Sequence, residues 1–339
     1  MERYIPLSVP NLKGNELKYV SNAIETEWVS TGGSYIDEFE KKCAEYLKVD
    51  GTVACQSGTS AIHLALIESG VKENDEVIVP TLTFIAAVNP VKYCSAYPIF
   101  MDCDSSLTID VEKIERFCNE ECNFVNGILV NKKTKRQIKA IIVVHVFGNM
   151  ADMEKLMEIA ERYNLKVIED ATEAFGTYYT DGKYKKHFAG TIGDFGCYSF
   201  NGNKILTTGG GGLIVAKNKS DLQHIKYLST QSKDDVLQYI HNEIGYNYRM
   251  TNVQAAIGVA QLEKIEEFIS IKEKNYNIYV SEFKKVGIEM LPFKDSIRPN
   301  YWFYSLMILN NKNSNIDVIK KLSQMNIQTR PIWGLIHRQ

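Results

Sequence analysis

An α/β fold with a mostly parallel sheet, joined to a smaller C-terminal α+β unit, is predicted by three features of the 339-residue sequence. Short β-branched runs alternate with amphipathic helical patterns from about Gly51 to Lys217, the pattern of β-α-β architecture. After Thr251 this gives way to a long helical stretch, and after Gly287 to one strand-like and one helix-like segment. The expected units are residues 1–250 and 251–339.

In chain order, Cys55–Ala65 joins a small polar turn to an apolar helix, and Glu76–Pro80 and Pro98–Asp102 follow as strands. Lys132–Arg136 is a basic loop or hairpin tip, and Ala140–Phe147 is the next apolar run. Met153–Arg162 carries the helical period, and Lys166–Asp170 ends in a carboxylate where ligands gather in open α/β sheets. Gly196–Phe200 is an aromatic strand running into the polar turn Ser199–Gly209, and Gly212–Ala216 is the next strand. Thr251 and Gln254 have capping-box spacing at the head of a helix expected over Asn252 to about Lys285. Trp302–Ile308 is strand-like and Asp317–Met325 helix-like.

Composition narrows the function. With 39 basic against 41 acidic residues there is no net field to attract nucleic acid. Apolar stretches such as Ala140–Val144 are far shorter than the roughly 20 residues of a bilayer helix. The N-terminus has no signal-peptide core, and seven cysteines, an odd number, describe free thiols. A cytoplasmic protein is expected. Cys118 and Cys122 have no second pair or histidine cluster at metal-ligand spacing, so no metal site is expected.

Three segments carry possible chemistry. Backbone N–H groups at Gly58, Thr59 and Ser60 head a helix and suit an anion; the same residues also describe a helix capped by Ser57 or Thr59. Gly209–Gly212 matches neither dinucleotide-binding nor P-loop spacing and reads as a tight turn entering a strand. Lys204 lies in a polar, glycine-containing turn, a setting shared by many surface lysines.

The order of these segments is more specific than any one. Trp28–Gly32, Ser57–Ala61, Pro80–Phe84, Val144–Gly148, Ile168–Ala171, Ser199–Lys204 and Gly245–Arg249 together resemble the nucleotide-sugar aminotransferase family. That family is a branch of the aspartate-aminotransferase-like pyridoxal-phosphate enzymes, and the likeness extends from about Ile5 to Pro331. Ser199–Lys204 with the glycine run, Ile244–Met250 and Thr329–Trp333 are most similar to the 4-aminotransferases of legionaminic-acid-type biosynthesis. The resemblance implies a large domain with a mostly parallel seven-stranded-type sheet and a small C-terminal domain, part of which would lie beyond Gln339.

It also implies roles. Lys204 would hold pyridoxal 5'-phosphate as a Schiff base and, once displaced, act as the base. Asp170 would face the pyridine nitrogen, a position that also fits a helix N-cap. Phe84 would stack on the ring. Glu173, where many relatives have Gln, would meet the ring hydroxyl, the reacting amine, the sugar or a structural partner. Gly58, Thr59 and the Ser199 hydroxyl, with Ser57, would hold the phosphate. Asn247 would reach the phosphate of the neighbouring subunit, making a homodimer with composite sites. Thr31, Asn201, Arg249, Arg330 and Trp333 are substrate candidates. Asn201 replaces a common His and Gly210 a common Glu, which bears on sugar contacts.

The implied reaction is ping-pong. L-glutamate would supply an amine that is delivered to C4 of a nucleotide-linked 4-keto-6-deoxy sugar, expected to be a UDP-N-acetylhexosamine derivative used in bacterial surface-sugar biosynthesis. The alternatives are a GDP-linked, perosamine-type sugar, or a non-catalytic regulatory or sugar-binding protein on the same scaffold. A sugar dehydratase of similar fold would carry His at the position of Lys204.

Overall fold

Strand runs that are apolar throughout are buried on both faces, because helices cover both sides of the main sheet. The computed structural model describes residues 4–235, 237–308 and 314–339. Its first strands are β1 (Val53–Cys55), β2 (Glu76–Pro80), β3 (Tyr97–Met101), β4 (Cys122–Val125) and β5 (Ile128–Asn131). They are followed by β6 (Gln137–Val144), β7 (Lys166–Asp170), β8 (Tyr178–Tyr179), β9 (Phe195–Ser199) and β10 (Gly212–Ala216). The main sheet has the order β1-β10-β9-β7-β6-β2-β3, with β4 and β5 attached beside β6.

The expected seven strands lie along this path. Neighbours from β9 through β7, β6 and β2 to β3 are parallel. The sheet departs from the parallel rule at β10, antiparallel to both β9 and β1, and at the β4–β5 hairpin. Lys132–Arg136 is the turn from β5 into β6.

Helices α1 (Glu16–Glu25), α2 (Ser34–Leu47), α3 (Gly58–Glu68), α4 (Asn89–Tyr93), α5 (Val111–Glu120), α6 (Met153–Tyr163) and α7 (Lys219–Ser229) alternate with the strands. The period-two alternation of each strand separates two cores. Ile78, Val143, Val167, Tyr198 and Leu213 face α2, α5 and α6 through Phe39, Ile114 and Leu156. Val77, Val79, Ile142, Ile168 and Ile214 face α3 and α7 through Ile62, Leu66 and Ile225.

The helix expected from Asn252 to Lys285 is two helices, α8 (Asn252–Leu262) and α9 (Ile265–Lys284). α8 opens with the predicted Thr251–Gln254 capping box and packs against α1 and α2. The break falls where Glu263 accepts hydrogen bonds from Asn15 Nδ2 at 2.7 Å and the Tyr19 hydroxyl at 2.8 Å, tying that corner to α1. β11 (Glu289–Met290), β12 (Ile297–Arg298), β13 (Leu306–Met307) and α10 (Asn315–Gln324) follow. The strand expected over Trp302–Ile308 is reduced to β13, antiparallel to β11. The backbone N–H of Trp302 goes to the Asn300 side chain, so this stretch packs instead of joining a ladder. α10 starts two residues before the expected Asp317 because Ser314 caps it and Asp317 completes the box.

Candidate active site

One edge of the sheet collects the candidate residues. β1, β2, β6, β7 and β9 all run toward this edge, and β10 starts from it. Register places Cys55 beside Gly212, Gly212 beside Ser199, and Asp170 beside Cys197 and Val144. The loops leaving these strands carry Ser57, Phe84, Glu173 and Lys204. This is the crevice at the carboxyl ends of strands where open α/β sheets bind ligands.

Ser57 caps α3, its hydroxyl oxygen accepting from Ser60 N at 3.0 Å. The first-turn N–H groups of Gly58 and Thr59 have no intrahelical acceptor. A Cβ on Gly58 would lie 2.9 Å from both Ser199 Cβ and Thr172 Cγ2, and one on Gly212 would lie 2.7 Å from Gly58 N. Only glycine allows β10 and the end of β9 to approach this turn so closely. Free N–H groups and the Ser199 hydroxyl therefore converge at a helix N-terminus, and these groups fit a phosphate. Gln254 Nε2 donates to the Gly210 carbonyl at 2.9 Å, bracing the glycine run against α8.

Beside the cradle lie three ionisable groups. Lys204 Nζ is 3.9 Å from Glu173 Oε1, with the Lys204 side chain 13% exposed. Burial lowers the Lys204 pKa below its ordinary value, opposed by the charges of Glu173 and Asp170. Burial likewise pushes the Glu173 carboxyl up to about 7, against the pull of Lys204 and of the Phe147 N–H, which donates to Glu173 Oε2 at 2.8 Å. Asp170 is raised by burial and steadied by Thr172, whose N–H donates at 3.1 Å. A buried lysine facing two carboxyls, its ammonium disfavoured by burial, is suited to carbonyl chemistry.

Several supporting residues escaped the sequence reading. His145, fully buried, accepts from Ala151 N at its Nδ1 and places Nε2 2.8 Å from Glu169 Oε2. Glu169 also accepts from Gly190, Ile192 and Gly193 N–H groups, so it pins β7 immediately before Asp170. Asn252 clasps the loop before α2, donating to Trp28 O at 2.6 Å and accepting from Tyr35 N at 3.0 Å. Trp302 lies over Lys204 Nζ, 4.1 Å from ring centre to nitrogen. Local sequence signals burial for Trp302 but not its partner, which is about a hundred residues away along the chain.

Phe84 is exposed after β2, and Asn247 is exposed while bridging Thr230. Thr31, Asn201 and Arg330 are exposed, and Trp333 packs 5.1 Å from Phe147 between ring centres. Arg249 is buried with its guanidinium on Glu40 and the Ala54 carbonyl, so those contacts occupy the group considered for substrate. Among the described residues no cluster of His, Cys, Asp or Glu is arranged to hold a metal, and no helix is long and apolar enough to cross a membrane.

Residues 10–339 match the DegT/DnrJ/EryC1/StrS aminotransferase family. A GDP-perosamine synthase of Escherichia coli O157:H7 is 39% identical over 336 residues, spanning 99% of this chain and 86% of that protein. A UDP-4-amino-4,6-dideoxy-N-acetyl-beta-L-altrosamine transaminase of Campylobacter jejuni is 31% identical over 313 residues, spanning 92% of this chain and 74% of that protein. The crystal structure of a DegT DnrJ EryC1 StrS aminotransferase from Brucella abortus shares the fold, with a TM-score of 0.85 at 26% identity over 96% of this chain and 82% of that one. The chain belongs to the DegT/DnrJ/EryC1/StrS family and is a pyridoxal-phosphate-dependent sugar aminotransferase.

Proposed function

We propose that this sugar aminotransferase moves an amino group from L-glutamate to C4 of a GDP-linked 4-keto-6-deoxyhexose, as a cytoplasmic homodimer that supplies surface-polysaccharide biosynthesis. The observation that carries the chemistry is the meeting of Lys204, Glu173 and Asp170 beside a glycine-bounded anion cradle. The choice of GDP rests on the 39% identity to a GDP-perosamine synthase, perosamine being a 4-amino-4,6-dideoxyhexose. A second reading, a UDP-linked N-acetylhexosamine derivative, is favoured by the 31% likeness to the Campylobacter transaminase.

When bound, the cofactor's pyridine ring draws electron density from the amine-bearing carbon and acidifies its proton. The residues would divide the work around it. Gly58 and Thr59 N–H groups and the Ser199 hydroxyl hold the phosphate, and Asn247 reaches the partner's phosphate. Phe84 covers one face of the ring. Asp170, held by Thr172 in a site of low dielectric, keeps the ring nitrogen protonated. Lys204 anchors the cofactor and, once displaced, takes the α-proton of the donor at Nζ. Glu173 lies close enough to Nζ to exchange a proton with it through small side-chain movements. Thr31, Asn201, Arg330 and Trp333 are assigned to the nucleotide sugar.

The test is amination of GDP- and UDP-linked 4-keto-6-deoxy sugars by the purified enzyme with glutamate, read by mass spectrometry. The expected result is a 4-amino product from the GDP sugar. Amination of the UDP sugar alone would overturn the nucleotide assignment. Lys204→Ala should abolish the visible absorbance of protein-linked cofactor and lower kcat by at least about a thousandfold.

A further inference from the structure

We propose that Trp302 is a positioning residue whose indole face seats the ε-ammonium of Lys204 when that lysine is free of the cofactor and carries a proton. The inference rests on Lys204 being the cofactor lysine. It concerns the other half of that residue's cycle, when the side chain is free and must be kept in place for proton transfer.

The geometry supplies a seat and fixes it. Lys204 Nζ lies 4.1 Å from the centre of the Trp302 ring, well inside the range of cation–π attraction. Glu173 Oε1 stands 3.9 Å from Nζ, too far for a hydrogen bond, so the carboxylate offers charge while the ring offers contact. Trp302 is only 3% exposed, which strengthens the attraction by excluding water.

Three contacts hold the ring. Its Nε1–H donates to the Asn203 carbonyl, next to Lys204, at 2.6 Å. Its backbone N–H donates to Asn300 Oδ1 at 3.0 Å, and its ring stacks on Phe303 with centres 3.8 Å apart. Asn300 is itself fully buried, and its Nδ2 donates to the carbonyls of Glu173 at 2.9 Å and Phe175 at 3.1 Å. One side chain therefore fixes both the ring and the residue that bears the opposing carboxylate.

A free lysine has four rotatable bonds and would lose its place without such a seat. The ring attracts the ammonium and has little hold on the amine. Lys204 is thus retained while it carries a proton and is released when it gives the proton up. The charged and titratable groups facing Nζ are Glu173 and Asp170, both contributed by the end of β7 and the turn after it.

The test uses enzyme loaded with pyridoxamine phosphate, in which Lys204 is free, and reads the pH dependence of Lys204 acetylation by mass spectrometry. Replacing all three tryptophans by trifluorotryptophan weakens the ring quadrupole while keeping shape and the N–H donor. The Lys204 pKa should then fall by about 0.4–1.5 units. Trp302→Leu should give a fall of the same sign, Trp302→Phe a smaller one, and fluorination of the Trp302→Leu protein no further change. An unshifted profile in the fluorinated enzyme would overturn the proposal, as would a fluorination shift that persists in Trp302→Leu. Fluorination keeps the result readable if the leucine variant does not fold. Failure of the underlying reading shows separately, as visible cofactor absorbance that survives in Lys204→Ala.

Discussion

Burial sets Glu173 apart from an ordinary carboxylate. Its folded pKa of about 7 lies above the ordinary value of 4.5, so the protonated form stabilises the fold. That contribution is complete below about pH 4.5 and is lost as pH rises through about 7, at up to about 1.4 kcal/mol per pH unit. Glu173→Gln keeps the acceptor for the Phe147 N–H and removes the titration. Cofactor-free protein of this variant should show a flatter dependence of urea midpoint on pH between about 3.5 and 8 than wild type, those bounds being about one unit either side of the window. Parallel profiles would remove Glu173 as the titrating group. Burial raises Asp170 as well, opposed there by the Thr172 N–H and hydroxyl.

The glycine run acts at the scale of the element, by letting β10 enter the sheet directly against the head of α3. A Cβ on Gly212 would press on the Ser57 and Gly58 backbone, with Gly58 N at 2.7 Å, and backbone cannot step aside as a side chain can. Gly212→Ala should cost about 2 kcal/mol or more in urea unfolding and weaken cofactor binding at least about tenfold. Gly209 has open space around its missing Cβ and a φ of +80°, so Gly209→Ala meets only backbone strain, about 1–2 kcal/mol. Equal losses for the two would show that crowding at the cradle is not what Gly212 relieves. The capping box at Thr251 works alongside, since its Gln254 also holds the Gly210 carbonyl.

At the scale of the whole molecule, exposed Asn247 bears on how many chains build one site. If Asn247 serves the partner's phosphate, a mixed dimer of Lys204→Ala and Asn247→Ala chains has one site with both defects and one with none. Random reassociation of equal amounts should then restore about a quarter of wild-type activity from two nearly inactive parents. No recovery, with mixed dimers demonstrated by mass spectrometry, would place Asn247 in the same chain's site or outside it.

The central strands β2, β3, β6, β7, β9 and β10 were legible in the sequence, because strands buried among helices form short apolar runs. Lys166–Asp170 and Gly212–Ala216 have the bounds expected of them. The family was legible too, because Ser57–Thr59, Asp170 and Ser199–Lys204 lie in short motifs that are read from contiguous residues. The antiparallel direction of β10, the break at Glu263 in the helix after Thr251, and the contact of Arg249 with Glu40 emerge from long-range packing. These depend on partners far away in the chain, which no local period encodes. The same holds for the Lys204 environment: its burial, the 3.9 Å separation from Glu173 and the Trp302 face exist only when β7, β9 and the segment after β12 are folded together.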